Sequence, residues 1–142
     1  GAFRKMRQYS RNKIQELTAI SLFDVLTFTH MGEPVDIPEI LSSIFELPYE
    51  DVPAFAKEIL INFAKHSAEE VTLIESHMKN WTFDRLNRME QAILLLSVTN
   101  FFYQEEKTDK AVIISVAVEL SKLYLDSNRY KFVNAILDNI LK

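Results

Sequence analysis

Apolar residues recur at helical spacing along nearly the whole chain, and nowhere alternate as they would in a strand. A first helix is predicted from Ser10, a good N-cap, to about Phe28. Its apolar residues Leu17, Ile20, Leu22, Phe23, Val25 and Leu26 cover too much of the circumference for one surface, so it must pack on more than one side. Gly32 and Pro34 in "HMGEP" end it. A short helix from Ile37 to about Glu46 follows, with Asp36 as cap and Pro38 tolerated in the first turn. "LPYEDVP" is a turn, and a third helix covers about Pro53 to Lys65 through Phe55, Ile59, Leu60 and Phe63. Ser67 and Glu70 then stand at capping-box spacing, which predicts a new helix, or a bend, reaching about Lys79.

Asn87 and Glu90 repeat that spacing and open the most hydrophobic helix, about Arg88 to Gln104. It contains "AILLLSV", apolar on every side, and is expected to be central and fully covered. The next helix, about Asp109 to Leu125, spaces Ile113, Val116, Ala117, Leu120, Leu123 and Tyr124 on a helical repeat. The last carries Phe132, Val133, Ile136, Leu137, Ile140 and Leu141 as one stripe. The expected architecture is all-α: a compact bundle of about seven helices, residues 1–142 forming one domain with subdomains 10–79 and 81–142. Trp81 reads as a plug between the two halves. Phe101, Phe102 and Tyr103 are consecutive, so they fan around their helix, at least two into the core and the rest open to a partner.

Composition narrows the class. Two glycines and four prolines in 142 residues fit long uninterrupted helices. The absence of cysteine excludes disulfides and thiolate metal sites, and fits a reducing, cytoplasmic setting. "AILLLSV" is far too short to span a bilayer, and the basic first dozen residues lack the apolar stretch of a signal peptide. No membrane association and no cofactor are expected.

Catalytic signatures are missing too: no Gly-rich phosphate loop, G-x-S-x-G or H-E-x-x-H occurs. His30, His66 and His77 lack the pairing of helical metal ligands. Glu69 with Glu70, and Glu105 with Glu106, are helix neighbours pointing about 100° apart, so they do not converge as an acid–base pair. No enzymatic activity is expected.

The net charge of −4 hides an uneven distribution. Arg4, Lys5, Arg7, Arg11 and Lys13 all precede the first acid, Glu16, and no lysine or arginine lies between Ile14 and Asp51. A basic arm on an acidic body can hold a polyanion locally; it is equally what a solvated tail looks like. The last helix poses a sharper question. "NRYKFVNAILDNILK" places Arg129 and Lys131 at a helix start, where the dipole disfavours cations. Either water screens them or something anionic binds there.

The second half resembles the NusB family of bacterial transcription antitermination factors. The resemblance rests on Trp81, Arg85 and Leu86, "RMEQAILLLSV", "AVELSKLY" from Ala117 to Tyr124, and "YKFVNAILD" from Tyr130 to Asp138; the first half matches through "SRNKIQELTAISLFDVL". It implies two small helical bundles and a noncatalytic role. It further implies binding of boxA, a short single-stranded RNA element, together with NusE, a small-subunit ribosomal protein, within an RNA polymerase antitermination complex. Carried onto this chain, the RNA contacts fall at Arg11, Lys13 and Phe23, and at Arg129, Tyr130, Lys131 and Phe132, with Arg4, Lys5 and Arg7 upstream. Basic side chains and free N–H groups at two helix starts would hold phosphates, and the aromatic rings would stack bases. Of the rings, Tyr130 at the stripe's edge is the better stacking candidate, and Phe132 is expected to be buried.

This chain departs from the family at several positions. Asn12 and Gln15 thin the basic run, Asn100 stands for a glutamate, Ser115 and Val116 for an asparagine and a glutamate, and Ala135 for a glycine. Asn100 and Val116 are therefore the candidate protein-partner positions. They also support an alternative: a helical interaction module, or a homodimer of the same fold, with weakened RNA binding.

Overall fold

Local capping chemistry sets where the helices begin. The Ser10 side chain accepts from the Lys13 N–H at 3.1 Å and starts α1, Arg11–His30. Gly32, at φ 73°, ends it in a Schellman turn in which the Glu33 N–H donates to the Phe28 carbonyl at 2.9 Å. Asp36 caps α2, Ile37–Phe45, by accepting from the Glu39 N–H at 3.1 Å. After a 3-10 turn at Tyr49–Asp51 come α3, Ala54–Glu75, and a second 3-10 turn at Phe83–Arg85. Asn87 then caps α4, Arg88–Tyr103, accepting from the Met89 and Glu90 N–H groups. α5, Lys110–Tyr124, and α6, Arg129–Ile140, complete the chain. This computed structural model describes residues 9–142.

The helix count corrects the expectation of about seven, since the described residues form six α-helices and no strand. Ser67 caps nothing: it lies inside α3, which runs unbroken from Ala54 to Glu75. The buried line Ala56, Ile59, Leu60, Phe63 continues in phase through Glu70 to Ile74, so propagation is favoured over a second nucleation. Glu70 turns inward, and its carboxylate accepts from the Thr99 hydroxyl at 2.8 and 2.9 Å.

α4 is the central rod. Every residue from Met89 to Asn100 is buried, and α4 packs against α1, α3, α5 and α6. The buried apolar residues of both halves form one continuous cluster around it. Its polar side chains are paired inside that cluster: Gln91 donates to the Phe83 carbonyl, Ser97 to the Ile93 carbonyl, Thr99 to Glu70. Asn100 Oδ1 finds no protein partner.

Two further expectations are corrected. α5 buries Ile113, Ala117, Leu120 and Ser121, and this line leaves Leu123 and Tyr124 outside, 67% and 41% exposed. Trp81 is not a plug: it is 53% exposed, with the Arg85 guanidinium 4.9 Å from its ring centroid. Phe83, two residues on, is buried in its place. Phe101 and Phe102 pack on the core, while Tyr103 stacks on His66 at 3.8 Å.

Burial pushes the Glu70 carboxyl from its ordinary 4.5 up to about 8, and the Thr99 bond offsets this only in part. The native state then holds a proton that the unfolded chain releases, so stability falls as pH rises from the unfolded to the folded value. The cost at and above pH 8 is on the order of 4 kcal/mol. Glu70→Gln keeps an acceptor for Thr99 without the charge. In chemical denaturation its gain over the wild type should be near zero at pH 4.5 and reach several kcal/mol by pH 8; parallel pH profiles would contradict this.

Candidate nucleic-acid interface

The end of α5 bridges α1 and the cleft beside the start of α6. Tyr124, in the last turn of α5, donates its hydroxyl to the Glu16 carboxylate on α1 and lines a cleft with Arg129 and Phe132 of α6. The Tyr124 and Lys13 bonds hold the Glu16 carboxyl below its ordinary value, so it stays charged. Burial and that same carboxylate push the Tyr124 phenol up to about 12. A neutral tyrosine thus ties α1 to the end of α5, beside the start of α6, at any physiological pH.

Arg129 answers the question posed by the last helix. Its guanidinium grips Glu90 with one edge, Nε donating at 3.0 Å and Nη2 at 2.8 and 2.9 Å. The Glu90 side chain is 3% exposed and the Arg129 side chain 41%. Desolvation pushes the Glu90 carboxyl up, and the Arg129 bonds pull it back only partly. The cation sits at the start of α6 because a carboxylate on the buried α4 requires one. Its outer face lies 4.5 Å from the Phe132 ring centroid.

The other candidate residues are distributed unevenly. Arg11 and Lys131 are exposed, and neither takes part in an ion pair among the described residues. Lys13 is half exposed and pairs with Glu16 at 3.0 Å. Phe132 is half-buried, packed on the core yet lining the cleft. Tyr130, two residues away and so about 200° around the helix, faces a different groove beside Lys110, Asn134 and Asp138. Lys122 Nζ lies 4.9 Å from its ring centroid. Phe23 is half-buried against the core, roughly 15 Å along α1 from Lys13. Arg4, Lys5 and Arg7 lie outside the described residues.

Asn100 and Val116 are brought together, lining one small gap with Gln15 between α1, α4 and α5. Asn100 is 3% exposed, so only Val116 reaches the surface. Alongside it α5 exposes Val112 and Leu123.

Sequence reasoning missed the second wall of the cleft. Lys79, Trp81 and Arg85 stand across from Tyr124, Arg129 and Phe132, around a volume of about 580 Å³. The available signal was the polar setting of the tryptophan, with Asn80 before it and Thr82 after. No group of three or more metal-ligating side chains occurs among the described residues, and no described helix is long and apolar enough to cross a membrane.

Comparison with known proteins places this arrangement. The NusB family model matches residues 13–142. A transcription antitermination protein NusB from Macrococcus caseolyticus is 31% identical over 133 residues, 94% of this chain and 97% of that protein. One from Finegoldia magna is 41% identical over 88 residues, 62% of this chain, and the match spans only 64% of that relative's length. A crystal structure of the antitermination factors NusB and NusE in complex with double-stranded RNA contains a chain 24% identical to this one. The two superpose with a TM-score of 0.73 over 92% of this chain and 95% of that one, which establishes a shared fold.

Removing Arg129 strands the Glu90 carboxylate. Arg129→Ala should cost about 2 kcal/mol, below the usual ~3–5 for a fully buried pair because water reaches the guanidinium. Adding Glu90→Gln should restore most of that loss in thermal denaturation; an additive further loss would mean that the pair is not coupled.

Proposed function

This chain belongs to the NusB family, and from that premise we propose that it is a noncatalytic RNA-binding factor of transcription antitermination. The observation that carries the proposal is the bridge at the end of α5: Tyr124 bonds Glu16 of α1 and lines a cleft with Arg129 and Phe132 of α6, so one surface runs from the start of α1 to the start of α6. Arg11 and Lys131 offer uncompensated charge there. Lys13, half exposed, adds charge that its pair with Glu16 offsets in part. No side chain caps α6: Asn128 is in the left-handed conformation, and the Arg129 and Lys131 N–H groups donate to the Asp126 and Asn128 carbonyls instead.

The ligand is a boxA-like single-stranded RNA, held by phosphate contacts along this edge and by aromatic surface within reach of it. The partner is NusE, the protein bound beside NusB in the solved complex, and the assembly acts on transcribing RNA polymerase in the cytoplasm. The chain itself supplies binding and positioning. Arg129 contributes a flat, already neutralised surface more than net charge, so it is a poor choice for a binding test: its loss would also destabilise the protein.

The test is a titration of a boxA-like single-stranded RNA at several salt concentrations, comparing the wild type with Arg11→Ala, Lys13→Ala and Lys131→Ala combined. With one phosphate per cation, the log–log salt slope should shrink by roughly 2, at about 0.7 per contact, with little change in melting temperature. Identical slopes and affinities would remove these residues from the site. Absence of binding by the wild type, with NusE present, would overturn the function.

A further inference from the structure

The cleft beside α6 has a wall that the proposed phosphate contacts do not use. We infer that Trp81 and Arg85 form a base-binding wall, and that the cleft receives one unpaired nucleobase of the RNA; this rests on the RNA-binding function proposed above.

An exposed tryptophan in a structure with a continuous core calls for a reason. Trp81 is 53% exposed, while its neighbour Phe83 is buried. Arg85 covers one face of the indole at 4.9 Å, and the exposure leaves ring surface open to the cleft. Across the gap, Arg129 lies 4.5 Å from Phe132, so each wall carries a guanidinium against an aromatic ring. Both are surfaces on which any base can stack. The volume of about 580 Å³ falls within the range of small-ligand clefts, ~300–1,000 Å³.

Charge favours a nucleotide over an apolar peptide. Glu90 is matched by Arg129, which leaves Lys79 and Arg85 against Asp126 on the rim. Neither Lys79 nor Arg85 is in an ion pair among the described residues. A base between the walls would bring its flanking phosphates to these two cations. The cleft is continuous with the edge at Arg129 and Tyr124, so one strand can run from the start of α1 into it.

Trp81 is the chain's single tryptophan, so its fluorescence reports on the cleft alone. The experiment titrates end-labelled boxA-like RNA and reads label anisotropy and tryptophan emission together. The expected result is quenching of Trp81 with the same midpoint as the anisotropy change. Trp81→Ala should weaken binding roughly 5- to 150-fold, the range for one stacked base, without lowering the melting temperature, and Trp81→Tyr should restore most of it. Full-affinity binding by Trp81→Ala with unchanged wild-type emission would overturn the inference while leaving the RNA-binding function standing. Quenching by NusE alone, with no further change on adding RNA, would also overturn it and assign the cleft to protein. No anisotropy change for any form would remove the function, and the inference with it.

Discussion

The pair between Glu90 and Arg129 organises the functional edge. α4 is buried on all sides, so a carboxylate in its first turn has no water to solvate it and needs a cation from elsewhere in the chain. That cation comes from the first residue of α6, which fixes where α6 begins relative to α4. The helix-dipole penalty at Arg129 is a few tenths of a kcal/mol up to about 1. The cost of leaving Glu90 unmatched, about 2 kcal/mol, is larger, so the pair outweighs the dipole.

From this pair the rest of the edge follows. Placing Arg129 against α4 lays its guanidinium on Phe132 and forms one wall of the cleft. The short turn from α5 into α6 holds Tyr124 beside that wall, where its hydroxyl reaches Glu16 and draws in the start of α1. Two helices far apart in sequence are thereby linked through the end of α5. A surface for a polyanion results from satisfying a buried carboxylate, on a protein whose net charge is −4.

Most of the fold was legible in the sequence because helix periodicity and capping are local. Ser10, Asp36 and Asn87 cap where their spacing says, and "AILLLSV" is buried throughout, as an all-round apolar helix must be. Errors arose where a local pattern met a tertiary partner. Ser67 and Glu70 have capping-box spacing, yet Glu70 bonds Thr99, 29 residues away, and α3 continues. Trp81 resembled a core residue by type, but Phe83 occupies the buried position. The site was legible only in part, through the family resemblance and the basic residues at two helix starts. That Arg129 is half spent on Glu90, that Tyr130 and Phe132 face different grooves, and that Trp81 walls a cleft all depend on which faces of helices meet. Nothing in local spacing encodes those meetings.

On this reading one strand of RNA runs from the start of α1, past Tyr124 at the end of α5, to the start of α6. Amide chemical shifts of the isotope-labelled protein, followed while a boxA-like single-stranded RNA is added, test it most directly. The largest changes should cluster in residues 10–16, 79–85 and 124–132, with α2 and the middle of α3 silent. Changes concentrated on α2 and α3, with both helix starts unmoved, would contradict it.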